Sequence, residues 1–129
     1  MTVAPTILAL SAFNLVCVGS VSTIPPIPNQ PAKTYEVTFR IDLEKQRWCS
    51  ASCLETQAIF SVTENEIVFY RSAESITGGG FEAKVNRVSG RHEKFVSIKN
   101  FANSGSAVIF KEDGRCTVSE FSGFPSSKF

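Results

Sequence analysis

The sequence predicts an all-β protein, an antiparallel meander of six or seven short strands. Residues 34–43 are the clearest strand, because five apolar residues alternate there with polar ones. These five are Tyr35, Val37, Phe39, Ile41 and Leu43. Alternation with a period of two is typical of a strand with one buried and one solvated face. Short turn sequences separate the later apolar runs, and consecutive strands joined by tight turns form a meander.

Further strands are predicted along the rest of the chain. They span residues 57–62, 66–70, 81–88, 91–98, 106–110 and 115–118. Residues 63–65, Ser89-Gly90 and residues 112–114 are predicted turns, since polar residues and glycine favour tight reversals. A helical turn fits only at residues 50–57. No predicted helix covers the apolar face, so we expect a curled sheet or partial small barrel, with a single-layer sheet as the alternative.

The first 22 residues predict a signal peptide, and therefore a periplasmic or secreted protein. They contain no charged side chain, and residues 7–18 are an apolar run interrupted by Asn14. Small residues at positions 19, 20 and 22 match the pattern that signal peptidase cleaves, although the usual basic n-region is missing. An uncleaved membrane helix is the alternative, but it needs about 20 apolar residues. We therefore expect no membrane span in the mature form.

Residues 23–33 are predicted to be a proline-rich linker, and residues 34–129 a single β domain with a C-terminal tail. Four of the six prolines lie between residues 24 and 31, a density that favours an extended polyproline spacer. The tail carries Phe121, Phe124 and Phe129. We expect it to lie back across an open edge of the sheet, with a docking peptide for another protein as the alternative.

The charge distribution excludes two classes of partner. All 13 Lys and Arg residues and all 12 Asp and Glu residues lie from residue 33 onward, with both signs interspersed. Nucleic-acid binding requires a clustered basic surface, and peripheral membrane anchoring requires a polybasic segment. We therefore expect neither, and the predicted partner is an envelope protein or a ligand.

Removal of the signal peptide with Cys17 leaves Cys49, Cys53 and Cys116 as disulfide candidates. Thiols outside the cytosol oxidise, so one disulfide is expected. Cys116 pairs with Cys49 or Cys53, or the latter two pair locally; either arrangement leaves a spare thiol. Three residues separate Cys49 from Cys53, whereas redox and zinc motifs have two, so neither chemistry is predicted.

No residue constellation predicts catalysis, a cofactor or a metal site. His92 is the single histidine and is expected on the surface or on an edge strand, without a local carboxylate to orient it. Trp48 is expected to pack in the core against an adjacent disulfide, and a role as an interaction residue is the alternative. Gly78, Gly79 and Gly80 form a flexible loop rather than a phosphate-binding loop, because no Lys-Ser/Thr end or helix follows.

Several short motifs resemble those of short exported proteobacterial proteins of unknown function. They are Arg47-Trp48-Cys49 with Cys53, residues 86–91, Gly114-Arg115-Cys116 and residues 121–125. The resemblance covers most of the chain after the linker. It implies a Gram-negative periplasm and no particular activity.

These observations favour a non-enzymatic periplasmic binding or interaction module, with residues 72–80 and 101–105 as contact loops. Two alternatives remain. One is a structural or envelope-maintenance protein that acts through its tail or its spare thiol. The other is a small enzyme that uses His92 and a cysteine.

Overall fold

A computed structural model of the chain describes residues 11–24, 26, 33–50, 53–72, 80–100 and 106–125. These residues form one antiparallel sheet, which confirms the predicted all-β meander, but with nine strands rather than six or seven. The strands are β1 (Ala12–Ile24), β2 (Lys33–Asp42), β3 (Arg47–Ser50), β4 (Gln57–Ala58), β5 (Ser61–Val62), β6 (Glu66–Ser72), β7 (Gly80–Asn86), β8 (Arg91–Asn100) and β9 (Ser106–Ser119).

The sheet curls until its two ends meet. The strand order is β4-β3-β2-β1-β9-β8-β7-β6-β5, so β4 and β5 are the end strands. Only Ile59 and Phe60 separate them in the chain. The Ile59 amide donates to the Gln46 carbonyl at 3.0 Å, and the Phe60 amide donates to the Val68 carbonyl at 3.0 Å. This segment therefore joins both ends of the sheet.

The curl is closed at one end and open at the other. Among the described residues, β2 pairs with β3 only over Phe39–Asp42, the last four residues of β2. We call the opposite end, where Ile24, Lys33, Ser72, Gly80, Asn100 and Ser106 lie, the open end. The strands β1, β8 and β9 continue there beyond the short strands that close the curl.

The structure corrects the predicted start of the domain. Ala12–Ile24 lies inside the sheet, where it pairs with β2 on one side and β9 on the other. Phe13, Leu15 and Cys17 are among the most deeply buried side chains. The predicted boundary at residue 34 is therefore wrong for this fold, and cleavage after residue 22 would remove most of a central strand.

The proline-rich segment, predicted as a linker between the signal peptide and the domain, instead lies between two paired strands. Val21 of β1 pairs with Lys33 of β2, so residues 25–32 connect two neighbouring strands rather than a leader and a domain. Of this connection only Pro26 is among the described residues. Residues 1–10 also lie outside them.

Two further local predictions were wrong and one was confirmed. Residues 112–114, expected to form a turn, lie within β9, and Ser50, expected to begin a helical turn, ends β3. The turn at Ser89-Gly90 is present, and Gly90 has the positive φ of 79° that favours glycine there.

The core fills the inner face of the curl toward the closed end. Phe39 stacks on Phe69 at 4.3 Å between ring centroids, and Trp48 packs on both rings at 5.9 and 5.1 Å. Aliphatic side chains from β1, β2, β6 and β7 surround the rings: Leu15, Ile41, Ile67 and Val85. Each buried side chain of this size contributes about 1.5–3 kcal/mol, so this cluster is the main source of stability.

The beginning of the tail lies on the outer face of the sheet. The Asn14 side chain donates to the Ser122 hydroxyl at 3.0 Å and accepts from the Ser122 amide at 3.2 Å. Arg40, which pairs with Asn14 in the sheet, donates to the Gly123 carbonyl at 3.3 Å. Residues 121–125 thus cross the outer face of β1 and β2 rather than an edge; residues 126–129 lie outside the described part.

Two disulfides join the four cysteines. Cys17 and Cys116 face each other on β1 and β9, 99 positions apart in the chain, and Cys49 bonds to Cys53. The predicted disulfide is confirmed as the local Cys49–Cys53 alternative, and the predicted pairing of Cys116 with Cys49 or Cys53 is wrong. The predicted spare thiol is wrong, because Cys17 stays in the domain and pairs with Cys116.

The two disulfides are expected to differ in their effect on stability. In the chain-entropy model, a cross-link across 99 positions stabilises by about 5 kcal/mol, and one across four positions by about 2 kcal/mol. We therefore expect the Cys17→Ala/Cys116→Ala variant to lose more stability in urea unfolding than the Cys49→Ala/Cys53→Ala variant. Equal losses, or peptide masses that show another pairing, would contradict this assignment.

Candidate functional site

A row of inner-face residues crosses the middle of the curled sheet. The strand register aligns one residue from each of seven strands, from β2 through β1, β9, β8, β7 and β6 to β5. In that order they are Tyr35, Gly19, Gly114, His92, Val85, Ile67 and Val62. We call this set the middle row. Only Tyr35 and His92 in it have polar side chains, and they come from opposite halves of the chain.

Two glycines let these polar side chains meet. Gly19 and Gly114 face each other between Tyr35 and His92, so no side chain stands in the way. A Cβ atom on Gly114 would lie 2.5 Å from the Tyr35 hydroxyl and would also collide with the Val18 carbonyl. Across this gap the Tyr35 hydroxyl lies 2.6 Å from His92 Nδ1.

Burial keeps both partners neutral. His92 is 1% exposed, and desolvation, assisted by the Lys94 ammonium, lowers its pKa to about 4. Desolvation, assisted by the Glu112 and Asp113 carboxylates, raises the pKa of Tyr35 to about 12. A neutral tyrosine donates its O–H, so we assign the hydrogen bond as Tyr35 to Nδ1 and the ring proton to Nε2. His92 Nε2 has no hydrogen-bond partner among the described residues.

The position of His92 was predicted wrongly. It lies inside the curl, against Phe39 at 5.4 Å between ring centroids, rather than on the surface or an edge. Its hydrogen-bond partner is a phenol, not a carboxylate or a nucleophile. All four cysteines are in disulfides, so no Cys–His pair is formed.

A concave, partly apolar surface lies between the middle row and the open end. We call it the cup. By strand register its members share the inner face: Tyr70, Phe81, Lys94, Val96, Phe110 and Glu112. Phe81 is 42% exposed and Phe110 is 41% exposed, and both flank Val96 across the register. Large apolar side chains are therefore accessible on the concave side of the sheet.

Aromatic rings connect the cup to the core. Phe81 packs edge-on against Tyr70 at 5.5 Å, and Tyr70 lies 6.1 Å from Trp48, which belongs to the core. Because Trp48 is 6% exposed, it supports the wall of the cup from behind and presents no surface to a partner. The cup is thus held in shape by packing rather than by loops.

Lys94 and Glu112 are the two charged side chains of the cup. Each lies two residues from the middle row along its strand, toward the open end. Lys94 faces Glu112 across β8 and β9, and Lys94 Nζ lies 3.9 Å from Glu112 Oε2. Charge pairs on the outer face are tighter. Arg91 donates to Asp113 at 2.8 and 3.1 Å, and this hydrogen-bonded guanidinium lowers the pKa of the Asp113 carboxyl.

The connections at the open end contain the residues that the sequence proposed for contact. Connections 25–32, 73–79 and 101–105 all leave strands whose ends lie there. Gly80 is the first residue of β7, whereas Gly78 and Gly79 lie outside the described residues. The strand ends that flank the two predicted contact loops therefore lie at the same end of the sheet as the cup, whereas residues 73–79 and 101–105 themselves lie outside the described residues.

The described segments contain no group of three His, Cys, Asp or Glu side chains placed to hold a metal ion. Nor does any helix within them have the length and apolarity needed to cross a membrane.

Comparisons with protein-family models, curated proteins and solved structures found no match to this chain. The site is therefore interpreted from its own geometry.

Sequence reasoning missed the middle row and the cup. The middle row depends on register between strands that are far apart in the chain, such as Gly19 with Gly114, and the cup depends on register among β6, β7, β8 and β9. One local signal in the sequence could have indicated that His92 faces inward. Side chains alternate along β8, so His92 shares its face with the apolar residue Val96, four positions away.

Acid should destabilise the fold through His92. The unfolded chain binds a proton near pH 6.5, whereas the folded chain resists it down to about pH 4, so stability falls as pH drops through this window. We expect a loss of about 2 kcal/mol between pH 7 and pH 4.5 in urea unfolding. His92→Gln should flatten this slope; an unchanged slope would contradict the buried neutral state.

Adding a methyl group at Gly114 should also destabilise the fold. Gly114→Ala places Cβ against the Val18 carbonyl and the Tyr35 hydroxyl, and overpacking of this kind costs about 1–3 kcal/mol. Ser119→Ala, an exposed position on the same strand, is the control. If both variants unfold at the same urea concentration, the close approach of Gly114 and Tyr35 is refuted.

Proposed function

We propose that this chain is a non-enzymatic binding module that takes a small apolar or amphipathic molecule into the cup. The observation that carries the proposal is the pair Phe81 and Phe110, each more than two-fifths exposed on the concave face of the sheet. Concave apolar surfaces with a few polar groups are typical ligand sites, and the mouths of curled β-sheets are a common place for them.

The cup differs from scattered surface apolar residues in its arrangement. Phe110, Val96 and Phe81 are successive partners across β9, β8 and β7, so they form one continuous strip. A single exposed phenylalanine needs no explanation, but a contiguous concave strip suits a ligand. The ring of Tyr70 behind Phe81 limits its movement, which lowers the entropic cost of binding.

Binding is favoured over catalysis by the state of the reactive groups. The Tyr35–His92 pair is neutral and its imidazole is buried, so it supplies no charged acid or base to a molecule in the cup. The cysteines are oxidised, so they provide no thiolate nucleophile.

The proposed location is the periplasm or another exported compartment. The two disulfides support it, because such bonds persist in oxidising environments. The motif resemblance to short exported proteobacterial proteins points the same way and stays a prediction. In this compartment the ligand or partner would be a component of the envelope.

Titration with the neutral fluorescent probe N-phenyl-1-naphthylamine tests the proposal. We expect a fluorescence increase with the wild-type chain and at least about tenfold weaker binding in Phe81→Ser/Phe110→Ser, because burial of each ring contributes about 1 kcal/mol or more.

Phe95→Ser is the matched control, since Phe95 is 39% exposed but lies on the outer face. Thermal unfolding of each variant verifies that it is folded. An equal loss in the Phe95→Ser variant, or unchanged binding in the double variant, would exclude the cup as the site.

A further inference from the structure

We infer that the ligand of the cup is an anionic amphiphile, with its acidic head group on Lys94 and its hydrocarbon chain along Phe81, Val96 and Phe110. This inference rests on the proposed function and names its ligand class. It is carried by the position of the Lys94 ammonium, which lies on the inner face beside a strip of apolar side chains and is only loosely paired with Glu112.

Lys94 lies between the neutral middle row and the apolar strip. On β8 it follows His92 by two positions and precedes Val96 by two, so all three side chains share the inner face. Two residues of a strand span about 7 Å, which the hydrocarbon chain of a ligand held at Lys94 can easily reach. A head group at Lys94 therefore places the chain over the strip.

The ion pair of Lys94 leaves it free to accept another anion. Its ammonium lies 3.9 Å from Glu112, beyond hydrogen-bond distance, and its side chain is 37% exposed. An exposed ion pair at this distance contributes little free energy, whereas a charged hydrogen bond is about twice as strong as a neutral one. A ligand carboxylate in direct contact is a better partner than Glu112.

The charge balance within the cup favours an anion over a cation. Lys33 on β2 lies in the same row across the sheet as Glu112 and Lys94, because Val21 of β1 pairs with Lys33 on one side and with Glu112 on the other. This row of the inner face thus contains two ammonium groups and one carboxylate. The middle row below adds no charge, and the next charges along β8 and β9, Glu93 and Asp113, point to the outer face.

Calorimetric titration of the full, oxidised chain below micelle concentrations tests the inference with three probes of equal chain length. These are dodecanoate, dodecanol and dodecyltrimethylammonium. We expect dodecanoate to bind tightest. Lys94→Gln should weaken dodecanoate binding about tenfold and leave dodecanol binding unchanged, since only the charged hydrogen bond is lost. Glu112→Gln should strengthen dodecanoate binding, because it removes a competing carboxylate.

Matched variants on the outer face provide the controls. Lys84, 33% exposed and on the opposite face, should tolerate Lys84→Gln without effect, as should Glu93→Gln. Equal losses in Lys84→Gln and Lys94→Gln would overturn the inference, because net charge would then explain both.

The remaining outcomes separate the inference from the proposed function. Equal binding of all three probes, lost in Phe81→Ser/Phe110→Ser, would overturn the anionic ligand but support the binding module. Tighter binding of dodecyltrimethylammonium, weakened by Glu112→Gln, would assign the head group to Glu112 instead. No binding of any probe would overturn both.

Discussion

The pairing of β1 with β9 is the constraint on which the rest of the structure depends. The strand order divides into β1–β4 from the first part of the chain and β5–β9 from the rest, and the two parts join at this seam and through Ile59 and Phe60. Eleven residue pairs and the Cys17–Cys116 disulfide hold the seam. It also sets the register that brings Tyr35 from one part to His92 of the other.

The inner face changes from aromatic and fully buried at the closed end to charged and partly exposed at the open end. The core packs below the middle row, and the middle row lies below the cup. Rings of Phe39, Trp48 and Phe69 fill the closed end and leave no room for a ligand. The middle row contains two polar groups whose neutral forms are favoured by burial, and Gly19 and Gly114 leave room for the hydrogen bond between them. Charged side chains and half-exposed apolar side chains lie only beyond the middle row, toward the open end. The cup is therefore a shallow site with a rigid floor rather than a deep cavity.

The sequence predicted the strands whose two faces differ and missed those whose faces are alike. β2 alternates apolar and charged residues, so its period of two was plain. β1 has Phe13, Leu15 and Cys17 inside, but Val16 and Val18 outside with no charge among them, the same composition as a signal peptide. Residues 112–114 resembled a turn because Gly114 stands where the tyrosine ring needs room. The Cys17–Cys116 disulfide and the middle row follow from register with β1, so neither was predictable once β1 was missed.

The seam also determines when the fold can be completed. Its two strands are the first and the last described strands, so the central pairing requires a loop closure of about 100 residues, and topologies dominated by such distant pairs fold slowly. Until β9 is present, β1 exposes an uncharged, apolar strand on its unpaired side. A chain of this kind gains its central disulfide only after Cys116 has been synthesised, in a compartment that oxidises thiols. That order of events is compatible with the proposed export of an unfolded chain, with the requirement that the exported chain retain Ala12–Ile24.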